Sequence, residues 1–252
     1  ASSSSGAFTY TSSDNSVATI SGNTVSIQGV GTSTISVSQA ETATYAAGST
    51  TATLTVSLDT GTISLSDINK LTTDAPFTIS DPASPSAGAF TYTSSDASVA
   101  TISGNTVTIQ GAGTSTITVN QASNGSYAAM STTATLTVSK NQVTLSLADI
   151  SKMTTDTPFS LVDPTSASSG AFSYTSSDAS VATISGNTVT IEGAGTSIIT
   201  VTQAADATYL AASTTATLTV VGDVSILPQN RYEEIRQDVQ TSLNTQLRSS
   251  LL

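Results

Sequence analysis

The sequence predicts an all-β fold of tandem β-sandwiches followed by a C-terminal α-helical tail. A unit of 82 residues recurs, since the motif GAFTYTSSD begins at Gly6 and at Gly88 and its variant GAFSYTSSD begins at Gly170. Within each unit Val, Ile and Leu alternate with Ser and Thr, which is typical of strands with one buried face. After Val221 the apolar residues instead recur every three or four positions, which is the spacing of an amphipathic helix.

The repeat divides the chain into three copies and a tail. Aligning Gly88–Ser139 with Gly170–Val221 gives 41 identities in 52 positions, and the pentapeptide TTATL occurs in all three copies. The first copy has only ASSSS before its GAF motif. We therefore expect an incomplete repeat 1 at residues 1–57, repeat 2 at 58–139, repeat 3 at 140–221 and a tail at 222–252.

Each complete repeat is expected to contain about seven short strands. Residues Ser98–Ile109 form two alternating segments around Gly104-Asn105, a dipeptide that suits a two-residue hairpin because both residues tolerate a positive φ. A glycine turn and a further strand follow at Gly111–Val119, and Thr132–Val138 is the last strand. This number of strands, with a turn signal about every 8–12 residues, indicates a β-sandwich.

The apolar positions of repeat 3 define its expected core. Phe172 and Tyr174 are two residues apart and should share one face of their strand. We expect Tyr92, Tyr174, Tyr127 and Tyr209 to anchor the cores, and favour for the last two a tyrosine corner, with the hydroxyl bound to the backbone, over ligand binding. The core candidates of repeat 3 are Phe172, Tyr174, Val181, Ile184, Val189, Ile191, Ile199, Val201, Tyr209, Leu218 and Val220.

Repeat 1 lacks the segment that opens repeats 2 and 3, and with it about two strands. A sandwich without these side chains should not be stable alone, since burying each large one is worth about 1.5–3 kcal/mol. Either the 252 residues are the ordered part of a longer protein, or another chain donates the missing strand. The apolar residues without a counterpart in repeat 1 are Ile63, Leu65, Ile68, Leu71, Phe77 and Ile79.

The stretch TYTSSDASVATISGNTVTIQGAGTSTITVNQA, residues 91–122, resembles the bacterial immunoglobulin-like family, group 2. The resemblance lies in the aromatic-Thr-Ser-Ser-Asp element, Ser-Val-Ala-Thr, the hairpin and Gly-x-Gly-Thr-x-x-Ile-Thr-Val, and it extends over all three repeats. The family often has Trp where this chain has Tyr10, Tyr92 and Tyr174. The resemblance implies immunoglobulin-like sandwiches, as in bacterial surface proteins, adhesins and phage virion proteins, usually without catalysis.

Composition excludes several functional classes. The chain has 45 Ser and 48 Thr, a net charge of −11, and no Cys, His or Trp. Disulfides, thiolate metal sites and a Ser nucleophile with a His base are therefore excluded. Three Lys are scattered and three Arg lie in the last 22 residues, so we expect no nucleic-acid partner and no binding to an anionic membrane. No apolar run approaches the length of about 18 residues that spans a bilayer.

The strongest candidates for functional carboxylates are the acids that recur in the SSD motif, Asp14, Asp96 and Asp178. With Ser before and SVA shortly after, each is typical of a turn that bonds its own backbone, and a Ca²⁺ ligand is the alternative. Because nearly the same acids recur in each repeat, they suit structure better than a single active site. We predict no catalytic residue, no cofactor and no resident metal.

The tail is expected to hold a helix from Arg231 onward. Asp223–Leu227 could be one more strand or the start of a different module, and Pro228 would end it. Asn230 is the predicted N-cap, with Glu233–Glu234 in the first turn. The helix should either pack on the last sandwich or serve as an oligomerisation or anchoring segment, since one helix of this length is marginal in water. Its apolar stripe consists of Tyr232, Ile235, Val239, Leu243, Leu247 and Leu251.

These features together predict a non-enzymatic structural protein displayed on an extracellular surface. Short connections at Ser57–Gly61 and Ser139–Gln142 would make the tandem sandwiches a semi-rigid rod. Residues 222–252 would join it, as a homo-oligomer, to protein partners in a larger assembly such as a phage virion or a bacterial surface fibre. The alternative is an adhesin or glycan-binding module that contacts a host or cell-surface glycan through sandwich loops. Hydrolysis is the weakest option.

Overall fold

The structure is a computed structural model that describes residues 3–222 and 229–249. It divides into two compact units, residues 1–139 and 140–252. Among the described residues, repeat 1 contributes β1 (Phe8–Ser12), β2 (Ala18–Ser21), β3 (Thr24–Ile27), β4 (Gly31–Gln39) and β5 (Gly48–Val56). Repeat 2 contributes β6 (Ile68–Leu71), β7 (Phe77–Thr78), β8 (Phe90–Ser94), β9 (Ala100–Ser103), β10 (Thr106–Ile109), β11 (Gly113–Gln121) and β12 (Met130–Ser139). Repeat 3 contributes β13 (Ile150–Met153), β14 (Phe159–Ser160), β15 (Phe172–Ser176), β16 (Ala182–Ser185), β17 (Thr188–Ile191), β18 (Gly195–Gln203) and β19 (Ala212–Val221), and the tail contributes α1 (Gln229–Ser249).

Repeat 2 is a sandwich of two sheets. The four-stranded sheet has the order β6-β12-β11-β8 and the three-stranded sheet the order β7-β10-β9. All neighbours are antiparallel except β6, which pairs parallel with β12. Alternate residues of the central strands point inward, and Val107, Ile117 and Leu136 are fully buried between the sheets. Seven strands in a four-plus-three sandwich are the immunoglobulin-like arrangement.

Repeat 3 has the same architecture, with sheets of order β13-β19-β18-β15 and β14-β17-β16. Its core cluster contains Val181, Val189, Ile199, Leu218 and Val220, all buried, and Tyr174, Ile184 and Ile191 pack against it partly buried. Phe172 and Tyr209 are half-buried. The predicted fold class, an all-β tandem of immunoglobulin-like sandwiches with a helical tail, is confirmed.

The hairpin at Gly104-Asn105 forms where the sequence predicts it. Ser103 pairs with Thr106, so the loop has two residues. Gly104 has φ of 61°, whereas no residue other than glycine has a positive φ in the described part of the chain. The tolerance for positive φ is therefore used only at the first loop position, as in a type II′ turn, and Asn105 does not need it.

Repeat 1 has two smaller sheets, β1-β4-β5 and β2-β3. No described strand of repeat 1 corresponds to β6 or β7, which lie at the sheet edges in repeat 2. The side chain of Val25 is 44% exposed, whereas its equivalent Val107 is fully buried. The buried apolar residues of repeat 1, within the described range, are Val17 and Ala18. The interior face of repeat 1 is therefore largely open.

Helix α1 begins at Gln229, one residue before the expected N-cap. Asn230 consequently lies inside the first turn, that turn contains no acidic residue, and the predictions for Asn230 and for Glu233–Glu234 are wrong. Capping preferences are worth only about 1 kcal/mol and do not by themselves fix where a helix starts. The segment 223–227, for which the sequence allows a strand, and Pro228 lie outside the described residues.

Leu136 and its equivalent Leu54 offer a matched test of the open face. Leu136 is fully buried, and Leu54 is only partly buried. Leu136→Ala should lower the free energy of unfolding of repeat 2 by about 2–5 kcal/mol, because it removes buried methyl groups and leaves a cavity. Leu54→Ala should cost repeat 1 less than about half as much. Urea denaturation read by hydrogen-exchange mass spectrometry would assign each loss to its repeat, and equal losses would contradict the open face.

Candidate functional site

The described part of α1 presents an unpartnered apolar stripe. Ile235, Val239 and Leu243 are 55%, 54% and 53% exposed, and every other described side chain of the helix is exposed as well. One expectation for the helix is that it packs on the last sandwich. The exposure of these three residues shows that the sandwich of repeat 3 does not cover them. The side chains of Tyr232 and Leu247, and the whole of Leu251, lie outside the described residues. Such a stripe in water is suited to contact with another apolar surface.

Tyr92 and Tyr174 each join a sandwich core to a surface acid. The Tyr92 ring packs partly buried against the core of repeat 2, and its hydroxyl donates to Asp81 Oδ1 at 2.5 Å. Tyr174 makes the same contact with Asp163 Oδ1 in repeat 3. Burial of the rings, together with the hydrogen bond from each hydroxyl to a carboxylate, raises the pKa of both tyrosines to about 12.

Beside Tyr174 lies a shallow groove that combines aromatic rings with polar groups. It is lined by Asp163, Phe172, Tyr174 and Asn187, among others. Aromatic faces next to carboxylate and amide groups are the chemistry that sugars bind. The polar groups, however, are already engaged, since Asn187 Nδ2 donates to the carbonyl of Leu161 at 3.0 Å and Tyr174 donates to Asp163. The groove is the candidate position for a glycan-binding role. The bonds of Tyr174 and Asn187, however, already serve to hold repeat 3 together.

Tyr127 and Tyr209 lie in the loop before the last strand of their repeats and are half-buried. The structure shows contacts of their backbones: the Tyr127 N–H donates to Asn124 Oδ1 at 2.7 Å, and its carbonyl accepts from the Asn124 N–H at 3.0 Å. Asp206 holds Tyr209 in the same way. The expected bond from each hydroxyl to the backbone stays a prediction.

The loops that contain Tyr127 and Tyr209 also bond to the segments that connect successive repeats. The sequence did not predict these bonds. The Asp59 N–H donates to the carbonyl of Ser126 at 2.8 Å, and the Ala128 N–H donates to the carbonyl of Asp59 at 2.9 Å. Asn141 makes the equivalent pair of bonds in repeat 3. Each connecting segment is thus fastened to the repeat that follows it. No local pattern signals this contact, because it joins residues far apart in the chain.

The recurring SSD acids lie in turns, as predicted. Asp14 Oδ1 accepts from the Ser16 N–H at 2.8 Å and from the Ser16 hydroxyl at 2.6 Å, and Asp96 and Asp178 do the same with their serines. The serine hydroxyls, followed by the backbone bonds, lower the pKa of all three acids. Among the residues that the structure describes, no group of three or more acids is placed to hold a metal ion.

Besides the contacts of Asp59 and Asn141, the sequence did not predict a group of buried polar residues. In each repeat one serine (Ser33, Ser115 and Ser197) lies buried beneath the SSD turn. Ser115 Oγ, for example, accepts from the Asp96 N–H at 3.1 Å. Gln121, also buried, donates from Nε2 to the carbonyls of Ser86 and Gly88. Their recurrence in every repeat was a signal, but serine and glutamine usually lie at the surface.

Asp206 is the most heavily bonded carboxylate in repeat 3. It accepts from the N–H groups of Ser169, Thr208 and Tyr209 at 2.7–2.8 Å, and from the hydroxyls of Ser168 and Ser169 at 2.9 Å. These bonds, led by the Ser169 backbone, hold the pKa of Asp206 well below its usual range. The acid therefore closes a loop of repeat 3, and repeat 2 has Asn124 at the same position.

No protein-family model matches the chain, and no curated protein matches it. Similar solved structures include Drosophila N-cadherin EC1-4, at 12% identity over 87% of this chain and 67% of that chain, with a TM-score of 0.31. Domains 4 and 5 of the S-layer protein SbsC match at 18% identity over 52% and 76%, with a TM-score of 0.25. Sidekick-1 immunoglobulin domains 1–4 match at 9% identity over 86% and 68%, with a TM-score of 0.29. Likeness at this level says nothing about what the chain binds.

The described residues include no helix long and apolar enough to cross a membrane.

Alkaline titration should identify the two tyrosine–aspartate pairs. Tyr92 and Tyr174 should ionise near pH 12, and Asp81→Asn should lower the pKa of Tyr92 without restoring the ordinary value of about 10, because burial is the larger cause. Since folding raises these pKa values, their contribution to stability is present below about pH 10 and lost as the pH rises through 12. Tyrosinate absorbance would measure the titration, with Tyr174 as the internal control. An unchanged Tyr92 in the variant would contradict the pairing.

Asp206→Asn tests the acid that closes the loop of repeat 3. The amide can still accept from Thr208 and Tyr209, as Asn124 does from Ser126 and Tyr127, but its NH₂ group cannot accept from Ser169. Because folding lowers the pKa of Asp206, its stabilisation is present above about pH 4 and lost as the pH falls below it. Calorimetry should show the Tm of repeat 3 falling less steeply below about pH 4 in the variant. Parallel acid dependence in both proteins would refute this role.

Proposed function

We propose that the chain is a non-enzymatic structural module of an extracellular surface, in which tandem sandwiches act as a spacer and the tail attaches them to a larger assembly. The observation that carries this proposal is the exposed stripe of Ile235, Val239 and Leu243 on α1. An amphipathic helix at the end of rigid sandwiches, with its apolar residues in water, is a contact element that lacks its partner.

The use of polar groups within the sandwiches supports a role without catalysis. No buried side-chain nitrogen or oxygen of the described residues lacks a hydrogen-bond partner. The recurring acids hold turns, and Asp81 and Asp163 hold tyrosines. A catalytic group needs a free atom directed at a substrate, and these carboxylates are already committed to the protein itself.

The fastened connections support the role of spacer. Asp59 and Asn141 each bond to the repeat that follows, which limits the freedom of the connecting segments. We propose that the tandem repeats form a semi-rigid spacer, because the connections between them are short. The quoted motifs of residues 91–122 support membership of the bacterial immunoglobulin-like family, group 2. A phage virion or a bacterial surface fibre is the proposed assembly, and a homo-oligomer formed through residues 222–252 is the proposed state.

The groove of repeat 3 favours a second candidate, an adhesin or glycan-binding module. Its rings and polar groups, Phe172, Tyr174, Asp163 and Asn187, are the specific observation. Phe172→Ala should then weaken binding on a glycan array, whereas Phe8→Ala should not, because repeat 1 has no residue equivalent to Asp163 among residues 1–57. An array on which the intact chain binds nothing would exclude this candidate.

Val239 and Gln240 offer a matched pair for testing the assembly helix, because both are exposed and adjacent. Val239→Asp should weaken self-association by at least about tenfold, since it places a charge in the apolar contact. Gln240→Asp adds the same charge off the stripe and should change little. Sedimentation equilibrium of the full chain measures both. A chain that is monomeric without substitution, or equal effects of the two changes, would refute assembly through the stripe.

A further inference from the structure

The loop before the last strand of repeat 2 contains the dipeptide Asn124-Gly125, which occurs once in the 252 residues. The nine other asparagines are followed by Ser, Thr, Lys, Gln or Arg. The backbone nitrogen of one residue can attack the side-chain carbonyl of an asparagine directly before it, and glycine hinders this attack least because it has no Cβ. The sequence therefore makes Asn124 the asparagine of this chain that is most open to intramolecular attack.

The fold leaves both nitrogen atoms of this reaction free. Among the described residues, no hydrogen bond engages the Gly125 N–H or the side-chain NH₂ group of Asn124. Gly125 is exposed, and a Cβ added to it would meet no atom within 4 Å. The attacking nitrogen is therefore open to the hydroxide that removes its proton, and the protein does not hold back the leaving NH₂ group.

The side-chain carbonyl of Asn124, which the nitrogen would attack, is polarised by its own loop. Its Oδ1 accepts from the Ser126 N–H at 2.9 Å and from the Tyr127 N–H at 2.7 Å. Negative charge gathers on this oxygen when a nitrogen adds to Cγ, and two backbone N–H donors stabilise such a charge as an oxyanion hole does. The folded loop therefore supports the addition step.

The hairpin asparagines of repeats 2 and 3 are held against the same reaction. Asn105 Nδ2 donates to the carbonyl of Ile79 at 3.0 Å, and Asn187 Nδ2 donates to the carbonyl of Leu161 at 3.0 Å. Each is followed by Thr, whose branched Cβ crowds the attacking nitrogen. These two residues are therefore internal controls for the reactivity of Asn124.

Repeat 3 shows what an aspartate does at this position. The equivalent of Asn124 is Asp206, which accepts from the N–H groups of Thr208 and Tyr209 at 2.8 and 2.7 Å. Its loop is still fastened to the connecting segment, since the Asn141 N–H donates to the carbonyl of Thr208 at 2.9 Å. An aspartate in this loop is therefore compatible with a fastened connection.

An isoaspartate at residue 124 would not be compatible with it. The main chain of that product passes through Cβ and Cγ, which adds a carbon atom to the backbone and turns the acceptor of the Tyr127 N–H into a peptide carbonyl. Close by, the Asp59 N–H donates to the carbonyl of Ser126 at 2.8 Å, and the Ala128 N–H donates to the carbonyl of Asp59 at 2.9 Å. Both bonds depend on the backbone spacing of this loop.

We propose that Asn124 is a self-modification site, which deamidates through a cyclic imide with Gly125, and that its isoaspartate product releases the segment between repeats 1 and 2. The Gly125 nitrogen loses its proton to hydroxide and bonds to Asn124 Cγ, while the Cγ–Nδ2 bond breaks and the NH₂ group takes a proton from water and leaves as ammonia. Water then opens the imide at either carbonyl, which gives aspartate or isoaspartate. The chemistry is independent of assembly through α1.

Peptide mapping by mass spectrometry, on the full chain kept folded in mildly alkaline buffer, tests the modification. Asn124 should gain the mass difference between an amide and an acid at least about tenfold faster than Asn105 or Asn187. Gly125→Ala should slow the reaction at least about tenfold, because its Cβ hinders the attacking nitrogen. The variant suits the fold, since repeat 3 has Ala207 at this position and Gly125 does not use a positive φ.

Hydrogen exchange of the Ala128 amide, measured by NMR, tests the release of the connection. In the isoaspartate form this amide should exchange at least about tenfold faster than in the unreacted chain, because its bond to Asp59 is lost. Asn124→Asp supplies the other product directly and should leave the exchange unchanged. Treating the reacted chain with an isoaspartate methyltransferase, which returns isoaspartate to aspartate, should restore slow exchange.

Two results would overturn the proposal. One is a folded chain in which Asn124 remains an amide over the time that a synthetic peptide of residues 118–131 needs to convert completely. The other is an isoaspartate form in which the Ala128 amide exchanges as slowly as in the unreacted chain, since the loop would then hold the connection in spite of its longer backbone.

Discussion

Closure of the apolar space between two sheets is the constraint on which the rest of this structure depends. In repeats 2 and 3 the inward side chains of the central strands, such as Leu136 and Leu218, are fully buried. That burial requires a short edge strand on each sheet, and one continuous segment supplies both: β6 and β7 in repeat 2, and β13 and β14 in repeat 3. A segment of about 20 residues therefore decides whether nearly identical strands enclose a core or leave it open to water.

The polar residues serve the same closure. Buried serines hold the SSD turns, buried glutamines hold the entering chain, and acids hold tyrosines or loop N–H groups. Because a buried polar group without a partner is costly, each of these groups is committed to its own repeat. Among the described residues, the apolar stripe on α1 has no such commitment. The proposed role in assembly rests on this stripe.

Much of this could be predicted from the sequence, for a physical reason. Alternation of apolar and polar residues is a local property, so the strands and their inward residues followed from it, and the hairpin followed from the dipeptide Gly104-Asn105. The repeat also showed which strands repeat 1 lacks. The contacts of Asp59, Asn141 and Gln121 could not be predicted, because they join residues far apart in sequence and depend on how loops meet in space. The start of α1 was misplaced because capping is a weak local preference.

The most direct test is amide hydrogen exchange of the unmodified 252-residue chain, compared between equivalent strands. If the core of repeat 1 is open, amides of β3 and β5 should exchange much faster than those of β10 and β12, although their sequences are nearly the same. The amides of β17 and β19 in repeat 3 should be as protected as those of repeat 2. Equal protection in all three repeats, in a monomeric chain, would contradict the account.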